Sequence, residues 1–311
     1  YFYIRGNQAV APPTNHIEAN NSKNWSPIQG AFWRAGGIAP GLQLKDVLPR
    51  FTDEAITVIE GHAKSKTKKP LMLYLAYPAP HTPWLPSPEF QGSSRAGMFG
   101  DFLVMVDAMI GRVLKALDEA GISDDTLLFF CSDNGPVWHG TDVKRLGHDS
   151  VGGLRGMKAD AWEGGHRMPF IARWPGRIEP GSTSAQILSL TDVIATCAAI
   201  VGADLPSGAA EDSFSWLPLF RGGDWAKPRA PVINHSAGGM FALRSGKWKL
   251  VAGNGSGGRE APKGKPFAKP YRLFDLSSDL GERKDLAQAK PELVGRLTAQ
   301  LEDIRIRGRS R

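Results

Sequence analysis

The chain has 311 residues, 41% of them hydrophobic, enough for a full-sized core and too many for a disordered chain. Its formal net charge of +7 is partly concentrated in Lys64-Ser-Lys-Thr-Lys-Lys69 and in the terminal Arg305-Ile-Arg-Gly-Arg-Ser-Arg311. Neither run has the interleaved aromatics of a single-strand nucleic-acid platform. Both read as a solvated loop and a frayed tail, and no nucleic-acid partner is expected. No apolar run approaches the ~18 residues that span a bilayer. The two cysteines, Cys131 and Cys197, exclude a disulfide scaffold and read as buried free thiols.

The opening stretch, Tyr1 to Trp25, is rich in Pro and Asn and has no helical period. It reads as the interior of a longer chain, in which a secretory leader would lie upstream. Residues 45–63 then place Val47, Leu48, Phe51, Ala55, Val58 and Ile59 on one helical face, with Pro49 tolerated near the first turn. The run LMLYLAYP (71–78) is continuously apolar and suits a strand buried on both faces of a parallel sheet. Residues 99–121 repeat Phe102, Leu103, Val106, Ile110, Val113, Leu114 and Leu117 at helical spacing, with Gly121 as the C-terminal stop. TLLFFCS (126–132) is a second buried strand. This strand–helix–strand order predicts a right-handed βαβ unit with ligands at the strands' C-terminal ends. PFIARWP (169–175) and a helix over 191–202 continue the pattern.

Near Pro231 the character changes to short strand-like pieces, PVINHS, MFALRSG, KWKLVAG and YRLFDLS, with Gly-rich loops and a terminal helix at about 290–306. The expected fold class is α/β: a mostly parallel sheet flanked by helices over residues 1–230, and a smaller antiparallel α+β subdomain over 231–311.

Three motifs carry candidate chemistry. Asp133-Asn134-Gly135 leaves the strand TLLFFC with a carboxylate and an amide oxygen side by side, hard donors suited to Ca²⁺ or Mg²⁺. Lys158 sits among glycines in Gly156-Met-Lys158-Ala-Asp-Ala-Trp-Glu163-Gly-Gly165-His166, where an ammonium can meet an oxyanion. His81 follows LMLYLAYP in a loop stiffened by Pro80, Pro83, Pro86 and Pro88.

Together these words, YPAPHTPWLP, GRVLKALDEAGISDDTLLFFCSDNGP and LRGMKADAWEGGHRMPFIARWPG, resemble the sulfatase family of the alkaline phosphatase superfamily. FALRSGKWKLV and LFDLSSDLGERKDLA resemble that family's ending, so the likeness runs from about residue 40 to 290. The resemblance implies an alkaline-phosphatase-like fold and hydrolysis of sulfate esters. Asp133 and Asn134 match the family's metal-ligating pair, usually Ca²⁺. His81 matches a histidine that contacts the sulfate and the leaving oxygen, and Lys158 a lysine that holds the ester. His148, Arg155 and His166 are candidates for the substrate pocket. The implied substrate is a sulfated small molecule or sulfated carbohydrate, and the implied location is periplasmic or secreted.

The family's nucleophile is a cysteine oxidised to formylglycine in a Cys-x-Pro-Ser-Arg context. Cys131 reads CSDNG and Cys197 reads CAAIV. The expectation is therefore a chain truncated at its N-terminus, with the nucleophile, a further aspartate pair and a Lys-x-His segment upstream of Tyr1, and inactive by itself. Two rival readings remain: a phosphatase or phosphodiesterase of the same superfamily, with a Thr or Ser nucleophile and two zinc ions, and a non-catalytic protein that binds acidic glycans.

Overall fold

The computed structural model describes residues 1–67, 69–223, 225 and 229–311. Lys68 of the first basic run lies outside the described residues. The chain divides into two compact units, Tyr1–Asp125 with Lys144–His148, and Thr126–Val143 with Asp149–Arg311.

The first unit opens with short antiparallel pairs, β1 (Ile4–Arg5) with β2 (Gln8–Ala9) and β3 (Asn15–Ile17) with β4 (Gly36–Ile38). Two helices follow, α1 (Val47–Lys64) and α2 (Gly97–Glu119), packed against each other. The predicted helical period holds, but the buried stripe is shifted. On α1 it is Leu48, Thr52, Ala55 and Ile59, while Phe51 and Val58 are exposed. Thr52 is admitted to this face because its hydroxyl is satisfied. It donates to Leu48 O at 3.0 Å and lies 2.7 Å from Tyr77 Oη. On α2 the stripe includes Phe102, Met105, Val106, Met109, Val113 and Leu117, and Gly121 follows the helix at φ +69°, as its position predicted.

Residues 71–78 form no strand. Met72 and Tyr74 are 75% and 86% exposed, so the buried parallel strand expected here is corrected. An apolar run specifies a wish for burial but not a neighbour. Among the described residues none offers these backbone groups a ladder.

In the second unit, β5 (Leu128–Cys131) pairs with β6 (Phe170–Arg173), and the pairing is antiparallel. The parallel βαβ unit is therefore absent from the described residues. Cys131, expected to be buried, is exposed. Helices α3 (Gly140–Leu146), in which the boundary between units falls, and α4 (Glu163–His166) lie between these strands in sequence. Phe129, Phe170 and Phe220 gather round the fully buried Trp216, with ring centroids 4.9 to 6.3 Å away. α5 (Val193–Val201) follows a 3₁₀ turn at Leu190–Asp192, and α6 is Leu217–Phe220.

The four C-terminal pieces form an antiparallel sheet in the order β10-β9-β8-β7, with β7 Val232–His235, β8 Phe241–Ser245, β9 Trp248–Val251 and β10 Arg272–Asp275. Side chains alternate between its faces with the period of a strand. Leu243, Leu250 and Leu273 meet Leu293, Leu297 and Leu301 of α7 (Pro291–Arg307). Ala242, Val251 and Phe274 meet Ala161 and Trp162 on the other face. The sheet is thus a slab pressed against the segment that carries Lys158.

The basic tail is not frayed. Arg309 Nη1 donates to Ser207 O at 2.8 Å, Ser310 N to Asp212 Oδ1 at 2.8 Å, and Arg311 Nη2 to Ala209 O at 2.9 Å. The Arg309 and Arg311 charges are spent on backbone carbonyls, and those of Arg305 and Arg307 on Glu302 and Asp303, which a charge count could not foresee.

Candidate active site

β5 delivers the chain to Ser132. Ser132 Oγ donates to Asn134 O at 3.0 Å, and Asn134 Nδ2 donates to Gly135 O at 3.0 Å. The Asn134 amide nitrogen is thereby occupied, and its Oδ1 is left as the available metal donor. Asp133 beside it is exposed. Gly135 N then donates to Gly165 O at 3.0 Å. A Cβ on Gly135 would overlap the Gly164 carbonyl, and one on Gly164 would overlap the carbonyls of Arg155 and Gly156. Three backbone segments cross here with no room for a methyl group, which is why glycine stands at these positions.

The Lys158 loop is the third segment. Lys158 N donates to Pro136 O at 2.9 Å, and Gly164 N to Arg155 O at 2.7 Å. The Asp160 carboxylate is fully buried and accepts from Met157 N at 3.0 Å, from Glu260 N at 3.0 Å and from Arg259 N. Such multiple acceptance fixes a carboxylate and the turn around it. The Asp133–Asn134 turn and Lys158 therefore share one interlocked backbone. Lys158 is half-buried and has no carboxylate partner among the described residues.

A buried charge cluster stands behind this knot. Lys249 Nζ, 1% exposed, lies 3.1 Å from Glu163 Oε1 and 2.9 Å from Glu282 Oε1. Glu163 also meets Arg167 at 3.0 Å and Arg244 at 3.4 Å. Burial pushes the Glu163 carboxyl up, but Lys249, Arg167 and Arg244 outweigh it and hold it below the usual range. Glu282 is pushed above its usual range by burial, which Lys249 only partly offsets. Its Oε2 accepts from Glu163 N, so it ties α4 to the segment after β10.

Arg155 and His166 take places in this framework. Arg155 Nε and Nη2 reach Glu260 Oε1 at 2.8 and 2.7 Å, Nη1 donates to Glu282 O at 3.1 Å, and the guanidinium stacks 4.0 Å from the Trp162 ring centre. It clamps the knot. His166 is largely buried, and its Nε2 has no hydrogen-bond partner among the described residues. Burial, reinforced by Lys249, lowers its pKa from the usual 6.5 to about 4, so the imidazole is neutral at pH 7.

His81 and His148 belong to the first unit, and both are exposed. His81 Nδ1 lies 2.8 Å from Thr82 O; a proton on Nδ1 serves that bond and leaves Nε2 for a substrate. The loop is held by Trp84, which is buried between Trp25 and Phe99 at 4.9 Å each and whose Nε1 donates to Pro80 O at 2.9 Å. His148 lies 6.4 Å from the Phe99 ring.

The donor set fits a hard cation in kind. Asp133 and Asn134 offer adjacent oxygens, but the described residues assemble no group of three His, Cys, Asp or Glu able to hold a metal. Two such oxygens would be a fraction of the roughly six to eight that Ca²⁺ prefers. Cys131 lies three residues from Asn134, and partial burial and the Asp133 charge raise its pKa, which disfavours the thiolate.

Sequence reasoning picked out Lys158 and the Asp133–Asn134 pair, but not Asp160, Lys249 or Glu282, which hold them in place. A lysine within KWKLV was the available signal, since Lys249 occupies an inward position of an otherwise apolar strand.

The sulfatase family model matches residues 19–203. An N-acetylgalactosamine-6-O-sulfatase of Bacteroides thetaiotaomicron is 32% identical over 302 residues, 93% of this chain and 57% of that protein. Arylsulfatase A of Bos taurus is 35% identical over 241 residues, 73% of this chain and 46% of that protein. The chain thus spans about half the length of the curated relatives it matches. A solved Bacteroides thetaiotaomicron structure, described in connection with metabolism of multiple glycosaminoglycans, superposes with a TM-score of 0.76 at 32% identity, covering 86% of this chain and 56% of that one. A sulfatase from Pseudoalteromonas sp. shares the fold at a TM-score of 0.67, 22% identity, and coverage of 87% and 57%. The α/β class is shared with these sulfatases, and the chain belongs to the sulfatase family.

Proposed function

We propose that this chain supplies part of the active site of a sulfuric ester hydrolase that cleaves an aryl or carbohydrate sulfate. In this reading residues 1–230 belong to the catalytic domain and 231–311 to a C-terminal subdomain. Asp133 and Asn134 are ligands to Ca²⁺, or Mg²⁺, which when bound offsets negative charge on sulfate oxygens. The Lys158 ammonium contacts the same sulfate, a preorganised donor that needs no reorganisation during reaction. His81 Nε2 delivers a proton to the leaving oxygen. The nucleophile, a formylglycine, comes from outside these residues.

The observation that carries the reading is the hydrogen bond from Lys158 N to Pro136 O within the Gly135–Gly164 crossing. It sets an ammonium without a carboxylate partner among the described residues on the same rigid backbone as two hard oxygen donors. A phosphatase with two zinc ions would need more Asp and His than the described residues assemble.

The test uses the complete enzyme and an aryl sulfate. Asp133→Ala is expected to abolish both metal content and turnover. Lys158→Ala and His81→Ala are each expected to lower kcat/KM by about 100-fold or more, the scale for a lost charge-stabilising donor or positioned acid. Unchanged metal content in the first variant, or near-normal kinetics in either of the others, would remove that residue from the site.

A further inference from the structure

The loop between β9 and β10 contains Arg259, Lys263, Lys265 and Lys269 against a single carboxylate, Glu260. That carboxylate is taken by Arg155 at 2.7 Å. The four cations are exposed, and none pairs with a carboxylate among the described residues. The loop is nevertheless ordered. Gly253 and Pro266 form an antiparallel bridge. Ser256 N donates to Pro262 O at 3.0 Å, Gly257 N to Lys263 O at 2.7 Å, and Lys265 N to Asn254 Oδ1 at 2.8 Å. The loop is therefore a braced finger, not a floppy tether.

The finger is fastened to the Lys158 loop. Arg259 N and Glu260 N both donate to Asp160 Oδ1, and Ala161 N donates to Ser256 O at 2.8 Å. Asp160 is two residues from Lys158. A row of unneutralised cations thus begins at the turn that holds the proposed sulfate-binding lysine.

We propose that the 253–269 finger is a subsite for further anionic groups of a polyanionic sulfated oligosaccharide, so that the substrate is a sulfated glycan chain and not a lone aryl sulfate. Unpaired cations on a fixed scaffold attract a polyanion through the field they sum to, and the ordered backbone spares the cost of ordering the loop. A single-stranded nucleic acid would also answer to charge, but its platforms add exposed rings on which the bases stack. The finger's one aromatic, Phe267, is packed 5.6 Å from Phe241 under the Arg305 guanidinium, 4.3 Å from its ring centre. The proposal rests on Lys158 being the sulfate-binding group.

The test is a binding titration of the chain with a fluorescently labelled chondroitin sulfate hexasaccharide, read as anisotropy at several salt concentrations. The triple variant Arg259→Ser, Lys263→Ser, Lys265→Ser is expected to bind roughly tenfold or more weakly at low salt, with a shallower salt dependence. The charge-preserving Arg259→Lys, Lys263→Arg, Lys265→Arg variant is expected to keep both. Single Lys263→Ser and Lys265→Ser variants, each expected to lose part of the affinity, carry the test if the triple variant misfolds. Unaltered affinity in the serine variants would overturn the proposal, as would absence of hexasaccharide binding by the parent chain. Displacement by single-stranded DNA as readily as by unlabelled hexasaccharide would overturn the glycan assignment. The Lys158 reading is tested separately by aryl sulfate hydrolysis, so the two can fail independently.

Discussion

His166 is the side chain of the knot whose ionisation matters most near physiological pH. Folding places a neutral imbidazole ring of ordinary pKa 6.5 where burial and Lys249 lower it to about 4. Between those values the unfolded chain takes up a proton that the folded chain refuses, so stability rises with pH across this window. The contribution is fully present above pH 6.5 and is lost as pH falls toward 4. Each unit of such a depression is worth about 1.4 kcal/mol. Urea titrations of the parent and of His166→Gln should therefore differ in slope: the parent's stability falls from pH 7 to pH 4.5, and the variant's falls less. Parallel curves would show that His166 does not govern this window. Glu282 works in the opposite sense, since burial raises its pKa and so favours the folded state on acidification. The close backbone approach around Lys158 was legible in the sequence because glycines flank it. His166 was legible only as a neighbour, because a histidine's burial depends on strands nearly a hundred residues away.

At the scale of elements, the N-terminal turn of α5 shows how one carboxylate can organise a region. Asp192 is fully buried and accepts from Ser189 N, Phe214 N and Trp216 Nε1, each at 3.0 Å, while Arg229 meets it at 2.6 Å with its own side chain 6% exposed. Removing one partner of a buried pair leaves the other charge uncompensated, at a cost of about 3–5 kcal/mol. Asp192→Ala is expected to lower the urea midpoint accordingly, and Asp192→Asn, which keeps part of the hydrogen bonding, to lower it less. A midpoint within experimental error of the parent would refute this account. The helices were readable because their apolar period is local. The direction of strand pairing was not: β5 and β6 are 38 residues apart between Cys131's successor and Phe170's predecessor, and TLLFFCS and PFIARWP carry the same apolar signature whether paired parallel or antiparallel. The C-terminal strands were easier, since short alternating pieces with Gly-rich loops favour antiparallel neighbours.

At the largest scale, one stretch of the first unit leaves a run of apolar side chains exposed. Met72 and Tyr74 are 75% and 86% exposed, and Leu71 and Leu73 between and beside them are also open. The stretch has no regular secondary structure and no ladder partners among the described residues, which leaves its apolar side chains and backbone groups open to another chain. Its attachment is through Tyr77, held to Thr52 on α1, so residues 72 and 74 can be changed without touching a packed contact. The 311-residue chain is therefore expected to self-associate as its concentration rises. Met72→Ser with Tyr74→Ser should move the onset of light scattering to a several-fold higher concentration while shifting the thermal midpoint by no more than about 2 °C, the range for surface substitutions away from packed or bonded groups. If the onset stays where it was, this stretch is not the sticky surface. If the midpoint falls sharply, the stretch is instead part of the core of the first unit.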